Sequence, residues 1–310
     1  MLWTEKYRPN QLNQIVGQER FVEDAKAWVY DSRSSMPNVL LYGQAGVGKT
    51  AAAVSLANEM LQGQTQGNFF EVNASDDRRL EVVRTTIKEI ASTVKMGDVA
   101  FKIILLDEMD GMTADAQNAL RRLMERYHGN VRFIITCNQR HKIIYPLQSR
   151  CANYLFTPLS IDLMYDVIQT ILDKEGITRY GEDEIRAFIY GFDGDLRRAI
   201  TELQAATASN TPLTIQINKM LEPYDQLVNS ILDNEYESAL ALCHEMLSLS
   251  VDMKTVCVGM HDSIMARNKD HNYINVKAKF KLLRVIGEAE WRSSNMTPKV
   301  LASWMIGQMI

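Results

Sequence analysis

Cysteine is scarce in this chain: Cys137, Cys151, Cys243 and Cys257 are the only four, and no two form a C-x-x-C pair. That spacing argues against a zinc site or a disulfide scaffold and for buried, reduced thiols. Long apolar runs are missing as well. No hydrophobic stretch approaches the roughly 18 residues that a membrane span needs. The opening Met1-Leu2-Trp3-Thr4-Glu5-Lys6 has no signal-peptide core, so a cytosolic or equivalent setting without a membrane partner is expected. Nor is charge of one sign in excess. A formal net charge of −4 excludes a surface coated in nucleic acid but leaves room for a local basic face. What remains, 46% hydrophobic and 23% charged residues, is a globular composition. A length of 310 residues is too great for one small core and predicts two or three domains.

The most informative stretch is Gly43-Gln44-Ala45-Gly46-Val47-Gly48-Lys49-Thr50, which fits the phosphate-binding pattern G-x-x-x-x-G-K-[ST]. Val39-Leu40-Leu41-Tyr42 ahead of it reads as a short buried strand, and Ala51 to Leu61 behind it is rich in strong helix formers. Glycines let backbone N–H groups wrap an anion, and the new helix points its positive end at it. Lys49 adds a mobile charge and Thr50 a hydroxyl for Mg²⁺. The chain is thus expected to bind a nucleoside triphosphate with Mg²⁺ through Gly43, Gly46, Val47, Gly48, Lys49 and Thr50.

Further strands are expected at Asn68 to Asn73, Phe101 to Leu106, Val131 to Thr136 and Asn153 to Phe156. The third ends in Asp107-Glu108, where Asp107 would hold Mg²⁺ and Glu108 would polarise the attacking water. The fourth delivers Asn138 just past its end, either to hold the γ-phosphate and its water or simply to turn the chain. Thr113 is a plausible N-cap for a helix from Ala114 to His128. Between these, a helix with Leu80, Val83, Ile87, Ile90 and Val94 on one face carries Arg84, Lys88 and Lys95 on the other, a stripe that suits either solvent or phosphates. At the N-terminus, Tyr7, Arg8, Pro9, Ile15 and Val16 read either as a capping arm or as an apolar seat for adenine. Arg197 sits in the first turn of a helix, where a cation opposes the dipole, as an anion-binding arginine would.

Several of these segments carry a resemblance. W-x-E-K-Y-R-P followed by V-G-Q, then N-A-S-D at 73–76, T-A-D-A-Q-x-A-L-R-R-x-M-E at 113–125, S-R-C at 149–151 and G-D-L-R at 194–197 resemble the small subunits of archaeal and eukaryotic sliding-clamp loaders. These are the replication factor C family of AAA+ ATPases. The resemblance implies that Asn138 is sensor 1 and Arg197 is sensor 2, contacting ATP phosphates. It makes Arg150 an arginine finger that reaches, in trans, into the ATP site of an adjacent subunit, with Arg121 and Arg122 facing that neighbour. Arg84 and Lys88 would touch DNA in the pore of a ring, and the sliding clamp would dock near Ile90 to Met96 through Val94 and Met96. Implied partners are the other clamp-loader subunits, in a five-subunit ring with a large subunit, together with the clamp and primer–template DNA. The family usually has a small residue where Met109 stands.

The fold implied is an α/β P-loop AAA+ domain, a parallel sheet with flanking helices, over residues 1–157. An all-α lid at 158–222 and an all-α oligomerisation collar at 223–310 would follow, with turns at Ser209 to Pro212 and at Glu222-Pro223. The expected function is ATP-driven clamp loading, with hydrolysis by Glu108, Lys49, Asn138, Arg197 and a neighbour's Arg150. Location would be cytoplasmic for an archaeal or prokaryote-hosted viral source and nuclear for a eukaryotic one. Two alternatives are a DNA-remodelling motor such as a branch-migration helicase and a structural subunit that binds ATP without hydrolysing it.

Overall fold

The computed structural model describes residues 1–30, 35–74, 80–209, 213, 216–249, 251–267 and 274–309, apart from the side chains of 80–84, 86, 216–222 and 266. The chain divides into two compact units, Met1–Thr214 and Ile215–Ile310.

The first unit is built on five parallel strands: β1 (Asn38–Gly43), β2 (Phe69–Asn73), β3 (Lys102–Asp107), β4 (Val131–Cys137) and β5 (Cys151–Phe156), in the order β2-β3-β4-β1-β5. The apolar runs pay out alternately to two faces, as a sheet covered on both sides requires. Val39, Leu41, Ile103, Leu105 and Ile134 join one buried cluster. Leu40, Ile104, Leu106, Phe133 and Ile135 join another. Helices α2 (Glu19–Tyr30) and α3 (Lys49–Met60) cover the first face, after the short α1 (Trp3–Lys6). Helices α4 (Leu80–Ser92), α5 (Ala114–Arg126) and α6 (Tyr145–Gln148) cover the second. Thr113 caps α5 as expected, accepting from Ala116 N at 3.4 Å. Met109 is fully buried in the second cluster, so the larger side chain fills core and not the site.

Helices α7 (Ile161–Lys174), α8 (Glu182–Ile189) and α9 (Leu196–Ala208) close a third cluster through Met164, Ile168, Phe188 and Leu203. The N-terminal arm belongs to it. Trp3 and Tyr7 pack there, Trp3 N donates to Gln204 Oε1 at 2.8 Å, and the Tyr7 hydroxyl donates to Glu175 Oε1 at 2.6 Å. Gln18 ties the arm to the end of the sheet by donating from Nε2 to Thr157 O at 3.0 Å.

Among the described residues, the regular elements of the second unit are all helices: α10 (Gln216–Leu232), α11 (Tyr236–Ser248), α12 (Met253–Ala266), α13 (Val276–Arg292) and α14 (Pro298–Met309). Its core includes Leu227, Ile231, Cys243, Val256, Met260, Leu282, Ile286, Leu301 and Met305. The turn expected at Glu222-Pro223 does not form, because Pro223 lies inside α10. A proline there removes one ladder donor without ending the helix, and the compact unit begins at residue 215.

Candidate nucleotide site

Three neighbouring strands, β3, β4 and β1, end on one rim, and each delivers a functional group there. This is the crevice outside the carboxyl ends of a parallel sheet, where such folds hold ligands. Gly48, at φ 93°, caps α3 in a left-handed conformation that lets the helix start within the loop. Gly46 is needed for a second reason: at φ 77°, a Cβ would fall 1.8 Å from Asp195 Oδ1, so the carboxylate ahead of α9 lies directly on the loop. Asp195 also caps α9, accepting from Arg198 N at 2.9 Å.

Lys49 is only 8% exposed. Its Nζ donates to Gly43 O at 2.9 Å, to Gln44 O at 2.6 Å and to Asn138 Oδ1 at 2.9 Å. Burial pulls its pKa below the usual lysine value, against the opposing pull of Cys137, Asp107 and Asp110. Arg197 lowers it further, which puts the exposed Arg197 guanidinium within electrostatic reach of the phosphate loop.

Thr50 Oγ1 donates to Asp107 Oδ1 and Oδ2, each at 3.1 Å. A hydroxyl and a carboxylate in contact at the start of a helix are the hard-oxygen pair that suits magnesium beside phosphates. Glu108 follows with an exposed side chain and a backbone at φ 55°, a left-handed conformation that costs a non-glycine residue of order 1–3 kcal/mol. Asn138, also exposed, has its backbone N–H on Asp110 Oδ1 at 3.3 Å.

The remaining expected residues are distributed as follows. Val47 is buried in the cluster against which Ile15 packs, while Tyr7 and Val16 pack on the α7–α9 cluster. Pro9 is half-buried, and Arg8 pairs with Glu5 at 3.8 Å. Arg150 is not at its own chain's loop: its guanidinium reaches Glu125 Oε1 at 2.5 Å and Pro146 O at 2.7 Å. Arg121 meets the same Glu125 oxygen at 3.4 Å, and Arg122 is exposed. Lys88 is exposed on α4; the Arg84 side chain and residues 75–79 lie outside the described residues. Val94 and Met96 are 87% and 58% exposed on a loop held by Asn68, which accepts from Met96 N at 3.0 Å and donates to Met96 O at 2.7 Å.

Sequence reasoning missed Asp110, Glu125, Thr136, Glu175 and Asp195. The Thr136 hydroxyl donates to Asp107 Oδ1 and accepts from Glu108 N at 3.2 Å. Its only signal was a hydroxyl directly after the apolar run Phe133-Ile134-Ile135. Asp110 had the signal of a third carboxylate close behind Asp107-Glu108, and the others depend on contacts between distant segments.

The profile of the ATPase family associated with various cellular activities (AAA) matches residues 39–159. A replication factor C small subunit of Haloarcula marismortui is 38% identical over 94% of this chain and 89% of its own length. The one from Archaeoglobus fulgidus is 37% identical over 94% and 91%. Among solved structures, the Thermotoga maritima RuvB Holliday junction branch migration motor matches with a TM-score of 0.59 at 16% identity, covering 89% of this chain and 98% of that one. That likeness shows a shared AAA+ fold. The phosphate loop, the carboxylates behind β3 and the near full-length identity agree: the chain belongs to the replication factor C small-subunit family of AAA ATPases.

Proposed function

We propose that hydrolysis in this chain runs through Glu108, in a site that its own Lys49, Asn138 and Arg197 prepare and that a neighbour's arginine, from the Arg150 position, completes. As a family member the chain is an ATP-driven clamp-loader subunit acting in DNA replication. The observation that carries the catalytic reading is the convergence of Lys49, Asn138, Thr50 and Asp107 at three adjacent strand ends. Glu108 takes a proton from water as the water oxygen bonds to the γ-phosphorus. The bond to the β–γ bridging oxygen breaks, and ADP keeps that electron pair. Before that step, on nucleotide binding, Lys49 exchanges its carbonyl partners for phosphate oxygens, and Asn138 holds the water or a γ-oxygen. Thr50 and Asp107 would hold Mg²⁺, directly or through water, whose charge offsets that of the β- and γ-phosphates. Tyr7, Arg8, Pro9, Ile15 and Val16 seat the adenine, a reading supported by Ile15 and Val47 sharing one cluster.

The partners we assign are other loader subunits in a five-membered ring with a large subunit, the sliding clamp at Val94 and Met96, and primer–template DNA at Arg84 and Lys88. Residues 1–157 form the nucleotide domain, the helices that follow to about residue 214 the lid, and the second unit the collar. The setting is cytoplasmic, as for a protein with archaeal relatives. A subunit that only binds ATP is disfavoured because Lys49, Thr50, Asp107, Glu108 and Asn138 are all present and meet at one rim. The test is steady-state ATPase of the reconstituted ring with clamp and DNA. Arg150→Ala should lower turnover by at least ~100-fold, the scale of arginine fingers. Unchanged turnover would remove the trans role.

A further inference from the structure

We infer that Thr136 is a positioning residue for hydrolysis: one buried hydroxyl on β4 locks Asp107 and Glu108, on the neighbouring strand, into a fixed relation. The inference rests on the reading of Glu108 as the base. Thr136 is 1% exposed, one residue from the end of β4, and its Cα pairs with Leu41 of β1. A threonine hydroxyl has one proton to give and two lone pairs. Here the proton goes to Asp107 Oδ1 and a lone pair receives the Glu108 N–H at 3.2 Å. Both partners lie at the end of β3, so the two bonds cross from strand to strand. Asp107 has a second donor in Thr50 Oγ1, 3.1 Å from each carboxylate oxygen, which fixes the rotation of the carboxylate from two sides.

The backbone at Glu108 explains why such a lock is needed. With φ at 55°, Glu108 holds a conformation that a glutamate keeps only when its surroundings over-determine it. The Thr136 bond restrains that peptide directly. Valine fills the same volume but neither donates nor accepts, so it leaves the Glu108 amide without its acceptor and Asp107 with one donor fewer. Serine keeps both bonds and gives up only a methyl group. Thr136 has no part in gripping phosphate, since its one donor is already committed to Asp107. Its effect should therefore fall on turnover and not on nucleotide affinity.

The experiment uses the reconstituted ring carrying wild type, T136V, T136S or E108Q. It reads kcat and KM for ATP, the Kd of a non-hydrolysable ATP analogue, the melting temperature, and amide exchange at Glu108. T136V should lower kcat by about 10- to 100-fold, the scale of a displaced catalytic group. Analogue Kd should stay within about threefold, and T136S should keep kcat within about threefold of wild type. Glu108 amide exchange should speed up in T136V and not in T136S. The inference is overturned if folded T136V keeps wild-type kcat, if T136S loses as much as T136V, or if affinity falls in step with turnover. T136A carries the same outcomes should T136V not fold. E108Q separates the two readings. Turnover by E108Q at the wild-type rate removes the base assignment, while inactive E108Q beside normal T136V removes Thr136 alone.

Discussion

The two units bury their interiors by the same physics and put different things inside. Among the described residues, the first unit buries Gln18, Lys49, Ser55, Asn68, Lys102, Gln117 and Thr136, whereas the second buries Ser263 and the side chain of Arg267. A buried polar group without a partner costs about 1–3 kcal/mol; apart from Ser55, whose hydroxyl has none among the described residues, each one in the first unit fixes something. Lys49 fixes the phosphate loop and Asn138, Gln117 joins the carbonyls of Met112 and Lys142, and Asn68 holds the loop around Met96. The second unit instead fills its core with Leu, Ile, Val, Met and two cysteines, which pack without direction. Directional burial marks where geometry matters for chemistry and contact. Non-directional burial marks where only volume does.

The largest expected effect tests that contrast at its functional end. Lys49→Ala removes three hydrogen bonds and the positive charge at the phosphates, and should cut ATPase by about 10³-fold with a matching loss of nucleotide affinity. Turnover and fluorescent-nucleotide titration check it. The matching change in the second unit, Leu301→Ala at a fully buried position, should cost about 2–5 kcal/mol of stability through lost burial and a residual cavity. Denaturant melts read that cost, and nucleotide affinity should not move with it. A fall in affinity as deep as that of Lys49→Ala would break the contrast.

What was legible in the sequence follows the same division. The five strands and the phosphate loop were readable because parallel strands are continuous apolar runs and the loop has fixed spacing. Asp107, Glu108 and Asn138 stood at strand ends, and once three such ends share a rim their side chains meet. Hidden were the groups whose meaning depends on a partner far along the chain. Thr136 reads as one more β-branched strand residue until Asp107 is beside it, and Tyr7 shows nothing of Glu175, 168 positions away. Asp195 over Gly46 is a contact between loops that no periodicity encodes. In the second unit, periodicity gave helices correctly, but a proline was read as a turn because local rules do not know that packing will carry α10 through Pro223.

A smaller effect is expected at Lys102, which separates direction from volume within one side chain. Its Nζ is buried at the start of β3, donating to Ile90 O at 3.0 Å, Thr93 O at 2.8 Å and Thr93 Oγ1. It thereby caps the carboxyl end of α4 and anchors the loop bearing Val94 and Met96. Lys102→Met keeps most of the volume and none of the donors, and should cost about 1–3 kcal/mol as Thr93 O loses its donor, while Ile90 O keeps the Thr93 hydroxyl at 2.9 Å. Clamp affinity in a pull-down titration should weaken with it, while ATPase without clamp should hold. Met305→Leu, the volume-preserving change in the second unit, should cost less than about 1.5 kcal/mol.

The smallest effect uses the cysteines, two in each unit. Burial pushes the thiols of Cys137, Cys151 and Cys257 up to about 12 and that of Cys243 up to about 11. Their burial therefore contributes its full stability below the unfolded thiol value of about 8.5 and progressively less as pH rises beyond it. At pH 8 an unfolded thiol is about one quarter thiolate, whereas these are held protonated, Cys137, Cys243 and Cys257 buried and Cys151 half-buried, so thiol reagents should report opening of each unit. ATP contacts only first-unit residues in the reading given above, and at ten times its Kd it should stabilise that unit by about 1.4 kcal/mol. Mass-spectrometric labelling across a urea series at pH 8 should then show Cys137 and Cys151 protected to higher urea by ATP, with Cys243 and Cys257 shifted less. Equal shifts at all four positions would mean that the units open together, and that the directional network of the first also sets the stability of the second.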